Sequence, residues 1–529
     1  MAKSQTLKIY MYKNLALPLQ KVVSMIATAI VVFALIVLLS HYVAAMFQPV
    51  RWPTRYYFFG MLLIAFFCKQ RTTVMLFVFS LPILPDFHLQ LEAVLKPSVK
   101  YFVGHPGLDV VAGLCLGLWA KRIWLVKKIE PVFEPVNWVL GLLVITLAVS
   151  TSIAVMRNLQ LTNVLDINLP VLAKQLVEFK LISYPNNYLP MVDLLTYSFA
   201  ILTICILVPI LKNYDIQQRE EIVFRPLMWS LILSALWGMF QASTGLGLFQ
   251  VTLDYRPTSF GFGAQGFQPD IHAFAALLLL GAVGILSFMK KAQRPDVLLG
   301  YVCIALCWVA LILSKSKATF IFAVVISLIL MALSLRSRGI AIKKIVCVAA
   351  IVLVALAWVL FITNNFVWIE YLVQQLAPSN WSRENFNRAF VYRPELFRAA
   401  WYMFSDYPIF GVGQGNFFRL SSNLDISHSL FMAQKGGDNA HNYFLQTLAE
   451  TGLVGASAFV LAIAWPIYHV DRFAKIAAPT LALLTIALGN VFSHPLLVRP
   501  NLILFAVFLA LLYASIDTNT PKSSPSRIT

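Results

Sequence analysis

The chain has little charge. Only 12% of its 529 residues are Asp, Glu, Lys or Arg, whereas charged residues make up about a quarter of an ordinary soluble domain. Hydrophobic residues account for 59% of the sequence, and the mean hydropathy is +0.77. These values exclude a soluble enzyme, a disordered chain and a small disulfide scaffold. They indicate a protein embedded in a lipid bilayer.

Cysteine is also scarce. The six cysteines lie in or at the ends of apolar segments, and none belongs to a Cys-x-x-Cys pair. We therefore expect no disulfide bond and no thiolate metal site. Cys303 and Cys307 fall on one face of a predicted helix, a placement typical of packing residues.

The middles of the apolar segments lack ionisable side chains almost completely. The few that occur, such as Asp109, Asp193 and Glu450, lie near segment ends. Ion-coupled transporters and proton pumps need charged groups near the middle of the membrane. The distribution therefore counts against a transporter and favours chemistry at the membrane surface.

Long apolar runs, by contrast, are abundant. A membrane-spanning helix needs about 20 predominantly apolar residues. Fourteen apolar segments occur, near residues 19–47, 56–68, 71–84, 107–120, 136–156, 194–211, 226–249, 271–289, 297–314, 318–335, 345–362, 442–468, 476–493 and 499–516. The second and third are short and could instead form one re-entrant hairpin. We predict an all-α polytopic membrane protein with about 12–14 transmembrane helices.

The basic residues predict how these segments are oriented. If the N-terminus is placed in the cytoplasm, 24 of the 41 Lys and Arg residues fall in short loops on that side. Such an excess is the orienting signal of multi-pass membrane proteins. We predict that both termini are cytoplasmic. The same pattern explains the net charge of +18 and argues against nucleic acid as a partner.

Four regions are predicted. They are an N-terminal transmembrane bundle of residues 1–362, a large periplasmic loop of residues 363–441, C-terminal transmembrane helices of residues 442–516, and a cytoplasmic tail of residues 517–529. The loop is rich in aromatic residues and is expected to be ordered. The tail is polar and rich in Pro and Ser, so it is expected to be disordered.

Two sequence strings stand at the end of the large loop. PIFGVGQGNF occupies Pro408–Phe417, and HNYFLQTLAETGLVG occupies His441–Gly455 after an insert of 23 residues. Together they resemble the O-antigen ligase and polysaccharide polymerase superfamily, whose hallmark is a glycine-rich stretch followed by His-Asn and a Glu-Thr-Gly helix. The resemblance is close over residues 390–456 and looser over residues 254–320.

The resemblance implies a glycosyltransferase of the bacterial inner (plasma) membrane that works without a metal or cofactor. Its donor would be an oligo- or polysaccharide on undecaprenyl diphosphate, and the acceptor hydroxyl would be met at the periplasmic face, among membrane lipids. A ligase would use a lipid A-core acceptor, and a polymerase would use the growing glycan. The sequence leaves these two open. A protein acceptor is a further alternative, although no extra soluble domain that would recruit a protein is found.

The resemblance also assigns roles to individual residues. It identifies His441 as the catalytic base. It also implies that basic residues in two earlier outer turns bind the carrier diphosphate, and these residues correspond to Arg256 and Lys317. The family usually has Arg at the second position, and Lys neutralises a phosphate without gripping it bidentately. Arg393, in the large loop, is the third candidate for the diphosphate.

The chemistry of glycosyl transfer agrees with these assignments. A base that accepts the proton of a hydroxyl works best with a pKa near 7, which suits histidine. Asp438 or Asn439 is predicted to cap the following helix, which would place His441 in its first turn, where the helix dipole disfavours imidazolium. The leaving diphosphate gains charge, so fixed cations stabilise the transition state more than the ground state.

Each candidate also has a purely structural interpretation. His441 could cap a helix at the interface, and Lys317 could extend its amine to the membrane surface. Arg256 could pair with Asp254 or Asp270, and Arg393 with Glu384 or Glu395.

Other interpretations concern the remaining motifs and the whole protein. His272, His428 and His494 are expected to be structural or peripheral, and the spacing of histidines and carboxylates predicts no metal site. The GVGQG stretch is predicted to form a compact turn and not a dinucleotide-binding loop. The alternatives for the whole protein are a flippase or transporter for lipid-linked oligosaccharides, and a non-catalytic partner in a glycan export complex.

Overall fold

The fold is taken from a computed structural model of the protein. It describes residues 2–46, 55–85, 106–127, 131–161, 189–248, 263–290, 292–337, 374, 377, 382–389, 392–470, 476–491 and 493–516. Arg256, the apolar segment near residues 345–362 and the tail of residues 517–529 lie outside the described residues. Within the described ranges the regular structure is helical, and no strand occurs in them.

The described helices follow one another along the chain. They are α1 (Ala2–Met46), α2 (Arg55–Phe67), α3 (Gln70–Ser80), α4 (Pro106–Val126), α5 (Trp138–Leu161), α6 (Leu189–Lys212), α7 (Ile216–Thr244), α8 (Ile271–Met289), α9 (Arg294–Leu313), α10 (Lys317–Ser337), α11 (Arg383–Ala389), α12 (Arg393–Asp406), α13 (Phe417–Ser421), α14 (Leu424–Ser427), α15 (Leu430–Lys435), α16 (Tyr443–Tyr468), α17 (Ala477–Gly489) and α18 (Arg499–Ile516). Leu280–Gly284 is a π-helical turn within α8, and Pro495–Leu497 forms a 3₁₀ turn before α18.

The all-α polytopic fold class is confirmed. Eight of the described helices, α1, α5, α6, α7, α8, α9, α16 and α18, are long and apolar enough to cross a membrane. Shorter apolar helices occur within α2, α10 and α17. Thirteen of the fourteen predicted apolar segments coincide with helices, and the fourteenth is the segment near residues 345–362. The cytoplasmic placement of the termini stays a prediction.

Helix boundaries follow from capping side chains. The carboxylate of Asp215 accepts a hydrogen bond from the backbone N–H of Gln218 and begins α7, which ends at Gly245 in a left-handed conformation. The carboxylate of Asp270 accepts from the N–H groups of His272 and Ala273 and begins α8. Caps of this kind satisfy N–H groups that the first helical turn leaves free. The cap at Asp270 fixes the position of His272.

Small residues allow the helices to pack closely. A Cβ on Gly113 of α4 would lie 2.4 Å from the carbonyl oxygen of Phe58 in α2, and one on Gly117 would lie 2.4 Å from the carbonyl oxygen of Leu62. Such close contacts between backbones are typical of membrane helices. In lipid there is no hydrophobic driving force between helices, so they associate through the close packing that small residues permit. The centre of the bundle is formed by α6 and α18. In each of these helices, 89% of the residues in the apolar stretch are buried.

The helix ends that were predicted to face outward meet at one end of the bundle. The backbone N–H of Ala264 donates to the carbonyl of Leu313, which joins the start of α8 to the end of α9. The N–H of Tyr443 donates to the carbonyls of Asn490 and Ser493, which joins the start of α16 to the turn before α18. We call this end of the bundle the site end.

The prediction that Cys303 and Cys307 are packing residues agrees with the structure. Cys303 and Cys307 are buried, and their sulfur atoms lie 3.9 Å apart without a disulfide bond. The other described cysteines, Cys68, Cys115 and Cys205, are free.

Candidate active site

His441 lies immediately before α16. The side chain of Asn442 caps this helix by accepting a hydrogen bond from the N–H of Leu445 at 2.9 Å. The prediction that Asp438 or Asn439 is the cap was wrong, and so was the placement of His441 in the first helical turn. The backbone of His441 is instead left-handed, with φ of +49°, because the chain turns sharply there before it extends through Asn442 into the helix.

The glycine-rich stretch, residues 408–416, packs against a break in α16. The break lies at Gly452, where φ is +62° and ψ is −165°. The N–H groups of Val412 and Gly413 donate to the carbonyls of Ala449 and Glu450 at 2.9 and 2.8 Å. In return, residues 453 and 454 of α16 donate to the carbonyls of residues 408 and 409. This segment, which we call the glycine loop, thus satisfies backbone groups that the break leaves without helical partners.

The glycines of this loop are required by its conformation. Gly411, Gly413 and Gly415 all have positive φ, between +70° and +104°. A Cβ on Gly413 would lie 2.5 Å from the Cα of Ala154 in α5, and one on Gly411 would lie 2.3 Å from the carbonyl carbon of Glu450. The predicted compact turn is therefore present, wedged between α5 and α16.

Glu450 connects the glycine loop to the residue next to His441. Its Oε1 accepts hydrogen bonds from the N–H of Phe417 at 3.1 Å and from the side chain of Gln446 at 3.2 Å. The Oε1 of Gln446 accepts in turn from the N–H of Ala440 at 3.2 Å. The glutamate of the Glu-Thr-Gly string thus helps to position His441 from two turns away.

A carboxylate lies beside the imidazole of His441. Nε2 of His441 is 3.6 Å from Oδ2 of Asp438, and the His441 side chain is 23% exposed. Asp438 also accepts a hydrogen bond from Lys435. Burial alone would raise the pKa of Asp438, but the side chains of His441 and Lys435 lower it well below its ordinary value. Asp438 therefore carries a negative charge beside the candidate base.

Two further histidines lie beside His441. The ring centroid of His494 is 4.9 Å from that of His441, and the centroid of His272 is 6.5 Å away. These two were expected to be structural or peripheral, and their contacts with His441 exclude only the peripheral placement. His428 does lie apart, half exposed and 3.2 Å from a carboxylate oxygen of Asp406. The available signal was position, because His272 lies at the start of one apolar segment and His494 just before another, both at the end predicted to face outward.

His494 is half-buried. Its pKa is lowered to about 4, chiefly by burial and also by the charges of His441 and Arg393, whereas Asp270 and Asp438 act in the opposite direction. The Nδ1 atoms of His494 and His441 are both buried, and neither has a hydrogen-bond partner among the described residues. Buried polar atoms of this kind are rare and call for a specific explanation.

The SKSKAT turn between α9 and α10 reaches the same cluster. The Oγ of Ser316 lies 3.1 Å from Nδ1 of His272 and 3.1 Å from Oγ1 of Thr319. Lys317 is the first residue of α10 and directly follows Ser316, and the position of its side chain lies outside the description. The backbone of the second predicted diphosphate residue is therefore close to the histidines.

Arg393 is the first residue of α12, in the predicted large loop. Burial lowers the pKa of its guanidinium, and its positive charge acts on His494. Its two predicted carboxylate partners have other contacts, since Glu395 pairs with Arg398 at 3.0 Å and Glu384 accepts from the hydroxyl of Tyr392 at 2.7 Å. Arg393 thus supplies a cation near the histidines.

The site therefore combines an imidazole, a carboxylate and a guanidinium. The described residues contain no group of three or more His, Cys, Asp or Glu side chains that could hold a metal ion. The imidazole can accept a proton, the carboxylate can stabilise the resulting imidazolium, and the guanidinium can stabilise an anion.

Comparison with known proteins agrees with this arrangement. The family model described as O-antigen ligase matches residues 302–460. The matched range includes the SKSKAT turn, the predicted large loop, the glycine loop and His441. No curated protein matches the chain significantly.

Proposed function

We propose that this chain transfers an oligo- or polysaccharide from undecaprenyl diphosphate to an acceptor hydroxyl. The match of residues 302–460 to the O-antigen ligase family supports this proposal. The reaction takes place at the periplasmic face of the bacterial inner membrane. The observation that carries the proposal is the contact of His441 with Asp438 and His494 at the site end.

The proton transfer begins at His441. The acceptor hydroxyl donates its proton to Nε2 of His441, and the oxygen attacks the anomeric carbon of the donor sugar. The bond between that carbon and the diphosphate oxygen breaks, and the diphosphate leaves with the bonding electrons. The imidazolium forms next to Asp438, whose carboxylate lies 3.6 Å away and stabilises it.

The basic residues stabilise the leaving group. Arg393 is close enough to the histidines for its charge to act on His494, and Lys317 directly follows the serine that contacts His272. Together with Arg256 they bind the diphosphate of the carrier. Their charge is of most value in the transition state, when negative charge builds on the departing oxygen.

The positions of the charged residues favour a transferase over a transporter. Asp109 in α4 and Arg499 in α18 stand in the first turn of their helices, and Asp193 lies just after the first turn of α6, so all three are at the site end. A transporter of a charged lipid would need such groups deeper in the bundle.

The decisive experiment is transfer by the purified full-length protein, native or His441→Ala, in detergent or liposomes. The donor is a glycan linked to undecaprenyl diphosphate, supplied with and without a lipid A-core acceptor. His428→Ala is the matched control, because His428 is also paired with an aspartate but lies away from the site.

We expect native protein and His428→Ala to form product and His441→Ala to lose at least about 100-fold in kcat, within the range that general base catalysis contributes. Mass spectrometry identifies the acceptor: glycan on lipid A indicates a ligase, and a longer carrier-linked glycan indicates a polymerase. No product from native protein with either acceptor would contradict the proposal. Equal turnover by His441→Ala would contradict the role of His441.

A further inference from the structure

An apolar surface is left uncovered where α12 leads into the glycine loop. The side chains of residues 407–410, with the sequence YPIF, are all exposed, and Ile409 is 59% exposed. We call these four residues the YPIF segment. A single exposed apolar residue is common on protein surfaces, but an uninterrupted run of four calls for a partner.

The YPIF segment adjoins an exposed face of α16. This face is formed by residues spaced four, three and four apart, which places them on one side of the helix. They are Leu453, Ser457, Val460 and Ala464. Because α16 is long and apolar enough to cross the membrane, we assign this face to lipid. The N–H groups of residues 453 and 454 donate to the carbonyls of Pro408 and Ile409 at 2.8 and 3.1 Å. The segment therefore continues the lipid-facing surface of α16.

The length of α16 after its break places the segment at the depth of the membrane. Residues 453–468 are 16 in number and include no charged side chain, and they extend about 24 Å. At the far end Tyr468 is exposed, and Asp471 and Arg472 follow shortly after it. The hydrocarbon core of a bilayer is about 30 Å thick. It must therefore reach about 6 Å beyond Leu453, past the level at which the segment is bonded to α16.

The backbone of the segment is suited to surroundings without water. The carbonyls of Pro408 and Ile409 accept from α16, and the carbonyl of Tyr407 accepts from the N–H of Gly411 at 2.9 Å. The N–H of Tyr407 donates to the carbonyl of Met403 at 3.1 Å, and proline has no N–H. In lipid, an irregular backbone is tolerated only where its polar groups find partners within the protein. A loop surrounded by water need not meet this condition.

A cation lies at one edge of the segment. The guanidinium carbon of Arg157, near the end of α5, is 4.0 Å from the centroid of the Tyr407 ring, and its Nη1 donates to the carbonyl of Val412 at 2.9 Å. Tyrosine is enriched at the boundary between membrane and water, where long basic side chains extend their charge towards the headgroups. Arg157 and Tyr407 are thus the residues expected at the edge of the hydrocarbon.

We propose that the YPIF segment is inserted into the membrane leaflet at the site end, so that the partner of this surface is the lipid bilayer itself. Part of the predicted large loop, residues 363–441, then lies in lipid and not in water. The segment anchors α12, which carries Arg393, at the membrane surface. The inference does not depend on the proposed function.

Spin labels on single engineered cysteines test the inference in liposomes. Ile409→Cys of the full-length protein is compared with Val460→Cys, on the lipid-facing side of α16, and with Asp425→Cys, at an exposed polar position of α14. Native protein treated with the same label supplies the background from its own cysteines, which is subtracted. Power saturation in electron paramagnetic resonance measures collisions of each label with oxygen, which is enriched in lipid, and with a water-soluble nickel chelate. Thermal unfolding reports on folding, and Phe410→Cys is measured in parallel in case Ile409→Cys does not fold.

We expect the ratio of oxygen to nickel collisions at Ile409→Cys and Phe410→Cys to be several-fold higher than at Asp425→Cys and close to that at Val460→Cys. A ratio as low as that at Asp425→Cys would place the segment in water and overturn the inference. Low collision rates with both reagents would show that protein, such as a second copy of the chain, covers the segment, and would overturn it as well. Either result would leave the proposed function standing, because transfer is measured separately.

Discussion

Neutralising Asp438 tests whether its charge assists the reaction. The substitution Asp438→Asn keeps the size of the side chain and removes the charge 3.6 Å from Nε2 of His441. Two unit charges at that separation attract by about 5 kcal/mol at an effective dielectric constant of 20 and by about 1 kcal/mol in water. Asp438 is 18% exposed and also pairs with Lys435, so the attraction between Asp438 and the imidazolium lies towards the lower of these two energies. We expect kcat to fall about 10- to 100-fold, which corresponds to about 1.4–2.8 kcal/mol.

The effect should appear in kcat and not in the acceptor KM, because the imidazolium exists only after the proton has moved. The assay is the transfer reaction with the purified protein at saturating donor. Asp406→Asn is the matched control, since Asp406 also lies beside a histidine, His428, but at an exposed position away from the site. It should retain native turnover.

The pH dependence follows from the lowered pKa of Asp438. A carboxylate whose pKa is lower in the folded protein stabilises it fully above its ordinary value of about 3.9, and this contribution is lost as the pH falls through the lowered folded value. The difference in thermal unfolding midpoint between native protein and Asp438→Asn should therefore stay constant between about pH 5 and pH 8, because Asp438 remains ionised throughout this range. An unchanged kcat in Asp438→Asn, or a loss of kcat in Asp406→Asn as large as that in Asp438→Asn, would refute the reasoning.

Two further predictions concern the glycine loop and Arg393. Gly413→Ala should lower the thermal unfolding midpoint in detergent, because φ of +104° and a contact of 2.5 Å with the Ala154 backbone each cost about 1–3 kcal/mol. Gly436→Ala, also at positive φ but with open space around its Cβ, should do much less, and equal shifts would contradict the account. Arg393→Ala should raise the donor KM about 10- to 100-fold, the value of a hydrogen bond to a charged group, with partial recovery in Arg393→Lys. Arg398→Ala, on the same helix, should leave the donor KM unchanged, and an unchanged KM in Arg393→Ala would remove that residue from the site.

Much of the fold could be predicted because membrane helices depend on local sequence. An apolar run of sufficient length must form its backbone hydrogen bonds internally, so hydropathy alone places thirteen of the described helices. The grouping of helix ends also followed from the sequence. The turn that holds Ser316 and the start of α8 lie together at the site end, as the predicted order of crossings requires.

The detailed geometry of the site could not be predicted in the same way. The string DNAHN offers three residues that can cap α16, namely Asp438, Asn439 and Asn442, and propensity does not distinguish them. The choice is made by tertiary contacts, since the N–H of Tyr443 is directed to the turn before α18. The pairing of His494 with His441 depends on the same contact and has no local signal in the sequence.

The insert between the glycine loop and His441 has both of its ends fixed to one helix. The N–H of Phe417 is held by Glu450, and the N–H of Ala440 is held by Gln446, both in α16. A segment fastened in this way can change in length or be exchanged for another without displacing the residue that follows it. The present insert folds into α13, α14 and α15 and exposes Phe418 and Leu430 to its surroundings. Replacing this insert by a short linker should therefore leave the backbone next to His441 in place.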